Sequence, residues 1–296
     1  MKNIAIFAKV HDPRCRGVAD ELIKWLVERR LTPLVEAHLA RHLNYPSGTD
    51  SDTISRLADL VVVLGGDGTL ISVARLVGDR EAPILGVNLG SLGFLTEITL
   101  EELYPALESC LRGDFCVSER TMLRAAIERD GKEMGVYQVL NDAVVNKGAL
   151  ARIVDLEVTV NDRYLTTFKA DGLIISTPTG STGYSLSANG PIIHPELDCL
   201  IITPICPHTL TNRPVILPAD AVVEVILNTR EPGATVTMDG QISFPITYKD
   251  RVLIKRSEQV TKLVSSPHRG YLEILRTKLG WGGSQTDLSR KETNAI

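Results

Sequence analysis

The sequence predicts an α/β amino-terminal domain with a parallel sheet, followed by a mainly-β carboxyl-terminal domain. In residues 1–118, short apolar runs alternate with segments whose apolar residues recur at helical spacing, as in a parallel sheet covered by helices. From residue 119 onward, short β-branched runs are separated by turn residues, which is typical of an all-β domain. The 296-residue chain is long enough for two domains, and its 44% apolar residues can supply a substantial core.

Local patterns justify each element of the first domain. Strands are predicted where short apolar runs occur, at residues 3–8, 33–37, 60–64 and 84–87. Apolar residues at helical spacing predict a helix over residues 17–30, and a second helix over 69–77 opens directly from a Gly-rich turn. Because both Gly-rich turns of this region, GGDGT and NLGSLGFL, follow strands, we expect them at the carboxyl edge of the sheet, where ligands bind.

The second domain is expected to cover residues 119–275. Its strands are predicted from the runs RAAIER, GVYQVLNDAVV, IVDLEVTVN, LIIST, CLIITPI, AVVEVIL, ATVTMD and RVLIK. The last segment of this domain could pack back on the first domain. Residues 276–296 are polar toward their end, and we expect a frayed tail there.

Composition narrows the classes of function. The net charge of −4 and the pI near 5.9 argue against a nucleic-acid binder, and local donors or a metal must hold any anionic substrate. Five cysteines, odd in number and without a CxxC pair, indicate reduced thiols and a cytoplasmic protein. No signal peptide or membrane-spanning stretch is evident, so we expect a soluble protein without a membrane partner.

The GGDGTL segment, residues 65–70, carries the strongest signal of the first domain. Glycines at 65, 66 and 68 leave the backbone without Cβ atoms, so a ligand can lie against it, and Asp67 is the single charge among them. Such a carboxylate suits a hydroxyl group that is about to accept a phosphoryl group. The alternative is that Asp67 caps the helix near Thr69, or that Gly-Asp-Gly is an ordinary turn.

A second cluster, KADGLIISTPTGSTGYSLSANGP at residues 169–191, is more specific. Its hydroxyls and backbone amides can form a neutral nest for a pyrophosphate. Ser and Thr clusters are usually only loops, but here Asp171 precedes the strand and Tyr184 offers a ring for stacking.

These two motifs, with the Asn141-Asp142 pair and the later PHTLTNRP and DGQ, resemble those of bacterial NAD kinases over residues 1–275. The resemblance implies a Rossmann-like first domain similar to that of 6-phosphofructokinases, which share GGDGT with lipid kinases. It also implies ATP-dependent phosphorylation of the adenosine-ribose 2′-hydroxyl of NAD, giving NADP and ADP. Asp67 would be the general base.

The resemblance further implies a set of binding residues. The phosphate loop would consist of Gly65, Gly66, Gly68 and Thr69, with Asp67 and Gly68 also touching NAD. The remaining NAD contacts would be Asn141, Asp142, Arg152, Lys169, Asp171, Thr182, Gly183, Tyr184, Ser187 and Gln241.

Several of these residues have specific implied partners. Asn141 and Asp142 would bind the adenosine end, although the family usually has Glu where Asp142 stands, and Asp171 would bind the nicotinamide side. Arg152 and Lys169 would contact phosphate. From the residues alone, Asn-Asp also suits a hairpin turn, Asp239-Gly240 suits a turn between strands, and lone basic residues are commonly solvated.

Cofactor and partners follow from the same resemblance. The chain has no GxxxxGK[ST] loop, so magnesium is expected to neutralise ATP through phosphates and water, without protein ligands. A homodimer or homotetramer is implied. The alternatives are a non-catalytic NAD(P)-binding regulator, which would not need Asp67, and a GGDGT-type lipid or sugar kinase. Against a lipid kinase, the chain lacks a membrane-binding amphipathic segment.

Overall fold

The computed structural model describes residues 1–77, 82–148 and 153–281, and it divides into two compact units. Of these described residues, the first unit comprises those in 1–70, 82–117 and from 263 onward, and the second comprises those in 71–81 and 118–262. Arg152, predicted as a phosphate contact, and residues 282–296 of the predicted tail lie outside the described residues.

A parallel sheet forms the centre of the first unit. Its strands are β1 (Asn3–Ala8), β2 (Thr32–Val35), β3 (Leu60–Gly65) and β4 (Ile84–Asn88). They lie in the order β2-β1-β3-β4 and all run parallel, so β3 and β4 end at the same edge. Every residue of β3 and β4 is buried, as expected for parallel strands covered on both faces. The predicted α/β fold with a parallel sheet is confirmed.

Helices cover this sheet. They are α1 (Cys15–Glu28), α2 (Ala37–Leu43), α3 (Ser51–Leu57), α4 (Asp67–Val77), α5 (Leu103–Arg112) and α7 (Tyr271–Leu279). The first four residues of α4 belong to the first unit and the rest to the second. Helix α4 begins at Asp67, two residues before the predicted start, and the predicted tail from residue 276 begins inside α7 rather than after it.

Strands dominate the second unit. They are β5 (Val117–Arg129), β6 (Lys132–Val139), β7 (Asp142–Asn146), β8 (Val154–Val160), β9 (Arg163–Ala170), β10 (Gly172–Ser176), β11 (Cys199–Ile205), β12 (Val215–Pro218), β13 (Val223–Leu227), β14 (Thr235–Met238), β15 (Ile242–Pro245) and β16 (Arg251–Val264). A short 3-10 helix, Thr179–Thr182, and the one-turn α6 (Tyr184–Ser187) follow β10.

These strands form two sets of pairs. One sheet has the order β12-β11-β10-β7-β14-β15 and is antiparallel throughout. In the other set β16-β13-β8-β9 are neighbours, and β5 pairs with β16 and β6. Alternate apolar residues of both sets, such as Leu156, Val225 and Ile175, share one buried cluster. The predicted mainly-β second domain is confirmed.

The strand register brings three chain segments to one end of the six-stranded sheet. Asp142 at the start of β7 is opposite Ser176 at the end of β10, and Ala143 is opposite Met238 at the end of β14. Because antiparallel neighbours run in opposite directions, the residues just after Ser176 and Met238 lie beside Asn141 and Asp142. This end of the sheet carries most of the predicted NAD contacts of the second unit.

Candidate active site

In the first unit, the GGDGT turn joins β3 to α4 and leaves its backbone open at two places. A Cβ on Gly65 would lie 2.7 Å from Thr69 Oγ1, so that glycine is required by packing. A Cβ on Gly66 or Gly68 would meet nothing within 4 Å in the described structure, and neither residue has a positive φ. Neither packing nor backbone conformation there calls for glycine, which leaves room for a ligand against the main chain.

The Asp67 carboxylate is held by the loop that follows β4. Its Oδ1 accepts hydrogen bonds from the Leu95 amide (3.1 Å), the Thr96 amide (3.0 Å) and the Thr96 hydroxyl (3.0 Å). Its Oδ2 accepts one, from the Phe94 amide at 2.8 Å. Since each carboxylate oxygen has two lone-pair directions, Oδ1 is saturated within the described structure and Oδ2 keeps one acceptor position.

This arrangement tests the helix-cap interpretation of Asp67. The residue lies in the first turn of α4, but in the described hydrogen bonds its carboxylate contacts the 94–96 loop and not the amides of its own helix. The helix-cap interpretation is therefore wrong. In the sequence, NLGSLGFL is recognisable only as a Gly-rich turn. The structure shows its role, since a Cβ on Gly93 would overlap Asp67 Oδ1.

In the second unit, Asn141, Asp142 and Tyr184 line one cavity of about 280 Å³, together with Val144, Asn146, Thr237, Asp239 and Gly240. Asn141 lies in a bend between β6 and β7, and these two strands belong to different sheets. The hairpin interpretation of Asn141-Asp142 is therefore wrong. Tyr184, with 44% of its surface exposed, offers a ring face accessible to a ligand.

Asp239 holds this bend in place. Its side chain is completely buried and accepts from the amides of Leu140 (3.1 Å), Asn141 (2.7 Å) and Asp142 (3.3 Å). The guanidinium of Arg75 pairs with the same carboxylate at 2.8 Å. Asp239 has a φ of 52° and Gly240 a φ of 64°, so the predicted turn at these residues is confirmed, between β14 and β15.

Arg75 connects Asp239 to a further predicted residue. Its second terminal nitrogen donates to Gln241 Oε1 at 2.6 Å. Arg75 is distant in sequence from both partners, so only the fold identifies it as a residue of this site.

Asp142 is the second acid of this cavity. Its residue is 4% exposed, and burial together with the nearby Asp239 charge raises the pKa of Asp142 from 3.8 to about 7. A carboxyl group with this pKa is protonated in about half of the molecules at neutral pH, and in that form it can donate as well as accept a hydrogen bond.

The hydroxyl-rich loop after β10 packs against the same bend. Thr177 Oγ1 donates to the Leu140 carbonyl at 2.6 Å, and a Cβ on Gly180 would overlap the backbone of Asn141. Three buried oxygens at this place have no hydrogen-bond partner in the described structure: Asn141 Oδ1, Ser176 Oγ and Thr179 Oγ1. Such atoms cost free energy unless a water or ligand satisfies them.

The other predicted residues of this loop differ in their access. Thr182 is half-buried and its hydroxyl donates to the Thr179 carbonyl at 3.2 Å. A Cβ on Gly183 would lie 3.6 Å from Asn141 Nδ2, and Ser187 is exposed at the end of α6.

Two predicted charges lie near the β9–β10 junction and do not line the cavity. Asp171 pairs with Lys147 at 2.7 Å, a cation that no sequence motif indicates. Lys169 is exposed, approaches Asp155 at 3.6 Å and lines a separate open cavity of about 520 Å³ that also contains Tyr248.

Several features elsewhere complete the description. An apolar cavity of about 510 Å³ lies between α5 and the segment after β16, and none of the predicted site residues lines it. All five cysteines are free thiols. Among the described residues, no group of three or more His, Cys, Asp or Glu side chains is arranged to hold a metal ion, and no helix is long and apolar enough to cross a membrane.

The fold and these two sites place the chain among the two-domain phosphotransferases that carry a GGDGT turn before a β-rich domain. Residues 4–115 match the ATP-NAD kinase N-terminal domain, and residues 140–266 match the ATP-NAD kinase C-terminal domain. The chain belongs to the ATP-NAD kinase family.

Individual relatives agree with this assignment. The chain is 66% identical over 282 residues to the NAD kinase of Geotalea daltonii, and 64% identical over 282 residues to that of Geobacter sulfurreducens. Each alignment covers 95% of this chain and 99% of the relative.

Solved structures show the same fold. Yeast NADH kinase in complex with NADH superposes with a TM-score of 0.88 at 26% identity, covering 96% of this chain and 89% of that one. The NAD kinase of Archaeoglobus fulgidus in complex with ATP superposes with a TM-score of 0.71 at 23% identity, covering 94% and 97%.

Proposed function

We propose that the protein is an NAD kinase that transfers the γ-phosphoryl group of ATP to the adenosine-ribose 2′-hydroxyl of NAD, giving NADP and ADP. The observation that carries this proposal is the state of Asp67. Its carboxylate is fixed by four hydrogen bonds, keeps one acceptor position on Oδ2, and stands between two glycines whose backbone is open to a ligand. Full-length relatives named NAD kinase support the choice of substrates.

In this proposal Asp67 acts as the general base. Its Oδ2 takes the proton from the 2′-hydroxyl while that oxygen forms a bond to the γ-phosphorus. The bond between the γ-phosphorus and the bridging oxygen breaks, and the electron pair leaves with ADP. A positioned base of this kind contributes on the order of 10²–10⁴ in rate, and the remainder comes from positioning and charge neutralisation.

The adenosine end of NAD is assigned to the cavity beside Asn141 and Asp142. The buried oxygens of Asn141, Ser176 and Thr179 lack partners among the described residues, so an amino or hydroxyl group of the ligand can satisfy them. Asp142 would bind a ribose hydroxyl, and the exposed ring of Tyr184 would stack on the ligand. Thr182, Gly183 and Ser187 would complete the wall.

Each of the remaining predicted residues is assigned to a single part of the ligand. Asp171 would bind the carboxamide or ribose of the nicotinamide half, with its charge balanced by Lys147. Lys169, which is largely exposed, and Arg152 would contact phosphate oxygens. Gln241 would contact the nucleotide from the turn after β14, where Arg75 orients its side chain. Gly65, Gly66, Gly68 and Thr69 would form the phosphate loop.

Magnesium is assigned to the ATP substrate. Phosphate oxygens and water are the ligands that magnesium prefers, and we propose that the protein binds the MgATP complex rather than a resident ion. We also propose a homodimer or homotetramer in the cytoplasm. Exposed apolar side chains on the second unit, including Tyr164 and Leu165 on the edge strand β9, support association, and the free cysteines support a reducing compartment.

The competing functions have less support. The comparisons match NAD kinases over nearly the whole chain and do not support a lipid or sugar kinase or a non-catalytic regulator.

The test is NADP formation from NAD and MgATP by wild type, Asp67→Asn and the control Asp52→Asn, in which an exposed carboxylate on α3 is neutralised. We expect the Asp67→Asn variant to lose at least about 100-fold in kcat while binding NAD as wild type does in calorimetry, and Asp52→Asn to stay active. Full activity in Asp67→Asn would remove the base role. A wild type that binds NAD but makes no NADP with ATP or polyphosphate would overturn the kinase.

A further inference from the structure

Thr96 stands in a hydrogen-bond chain that leads to Asp67. The residue is completely buried, and both its amide and its hydroxyl are 3.0 Å from Asp67 Oδ1. On its other side, Asn88 Nδ2 donates to the Thr96 hydroxyl oxygen at 2.9 Å.

The orientation of the Asn88 amide is determined by its surroundings. Its Oδ1 accepts from the Gly90 amide at 2.5 Å, so that atom must be the oxygen. The two hydrogens of Nδ2 then go to the Ser91 carbonyl at 2.6 Å and to Thr96 Oγ1 at 2.9 Å.

This fixed amide sets the direction of the Thr96 hydroxyl. Because Thr96 Oγ1 accepts a hydrogen from Asn88, its own hydrogen must point to its other neighbour, Asp67 Oδ1. The hydroxyl therefore donates to Oδ1 in one fixed direction. Counting the hydrogen bonds of the described residues, Oδ1 has no acceptor position left, whereas Oδ2 has one.

We propose that Asn88 and Thr96 are positioning residues that orient the Asp67 carboxylate and leave Oδ2 as its proton acceptor. This inference rests on the proposed function, in which Asp67 is the general base. Neither residue needs to touch a substrate. Their effect falls on kcat, because a carboxylate that turns about its side-chain torsion aligns poorly with the hydroxyl that it must deprotonate.

Thr96→Val and Thr96→Ser form the matched pair for the test. Valine keeps the branched shape and loses the hydroxyl; serine keeps the hydroxyl and loses the methyl. We expect Thr96→Val to lower kcat by about 10- to 100-fold with KM for NAD and MgATP within about twofold of wild type, and Thr96→Ser to recover kcat to within about threefold. Thermal unfolding and NAD binding would be measured on each variant.

Asn88→Ala, alone and combined with Thr96→Val, tests whether Asn88 acts on Asp67 through Thr96. We expect a loss of about fivefold in kcat for Asn88→Ala alone and no additional loss in the double variant, since Asn88 acts through the Thr96 hydroxyl. Independent, multiplicative losses would overturn the series arrangement.

The outcomes separate this inference from the proposed function. Wild-type kcat in Thr96→Val, or a Thr96→Ser variant as slow as Thr96→Val, would overturn the positioning role while the kinase stands. A Thr96→Val variant that fails to fold leaves Thr96→Ser and Asn88→Ala to decide. A wild-type protein that makes no NADP, or an Asp67→Asn variant with full kcat, is instead a failure of the proposed function.

Discussion

The proton held by Asp142 should make the stability of this protein depend on pH in a specific direction. Burial and the neighbouring Asp239 charge raise the pKa of Asp142 from 3.8 to about 7 in the folded protein. Between these two values the native state binds a proton that the unfolded state has released, so stability falls as pH rises through this window. Below about pH 4 both states are protonated and the full stability is present.

The magnitude follows from the two pKa values. One pH unit corresponds to about 1.36 kcal/mol, so the interval of about three pH units amounts to about 4 kcal/mol, of which about 3 kcal/mol accumulates between pH 5 and pH 8. Asp142→Asn places a neutral side chain of nearly the same shape in the cavity and removes this dependence. The variant should therefore gain stability relative to wild type as pH rises.

Thermal unfolding of wild type and Asp142→Asn at pH 5, 6, 7 and 8 measures this effect. The difference in Tm, variant minus wild type, should grow by about 5 °C or more over that range. Asp220→Asn, which changes an exposed carboxylate between β12 and β13, is the control and should show a constant difference. A constant difference for Asp142→Asn as well would refute the reasoning.

Two further predictions concern the two sites. Arg75→Met removes the cation from the fully buried Asp239 side chain and leaves a buried charge with amide donors alone. The free energy of unfolding, measured by urea titration, should therefore fall by about 3 kcal/mol, and an unchanged urea midpoint would contradict this. Gly93→Ala adds a Cβ that overlaps Asp67 Oδ1, so kcat should fall at least about tenfold with little change in KM, whereas wild-type kcat would show that the loop holding Thr96 adapts.

The fold class was predictable because the decisive signals are local. The buried run of β3 followed by GGDGT, and the β-branched runs after residue 119, specify strand, turn and sheet type without long-range information. The short helices α2 and α3 were missed, because seven residues span less than two turns of the helical hydrophobic period. Their sequence signals are the N-cap residues Glu36 and Asp50, whose carboxylates accept hydrogen bonds from amides of the first turn.

The site was predictable only in part. The motif residues Asn141, Asp142 and Tyr184 do line one cavity, as a shared ligand requires. Arg75 and Lys147 could not be found from the sequence, because a lone basic residue is usually solvated and only the fold reveals the carboxylate it meets. For the same reason the sequence left a helix cap open as the alternative role of Asp67, because the donors of its carboxylate lie 27 to 29 residues farther along the chain.

Asp67, Asp239 and Asp142 illustrate why residue type and position at a strand end do not determine what a carboxylate does. The donors around each one do. Asp239 has a cation and three amides and is fully buried, which suits it to hold the Asn141 bend and leaves it little capacity for a ligand. Asp67 has four donors distributed three to one, which fixes its direction and leaves one oxygen available. Asp142 has burial and a neighbouring negative charge, which raise its pKa to about 7, so it is the acid of the three whose charge changes near neutral pH. The role of each aspartate is therefore set by the groups that surround its carboxylate.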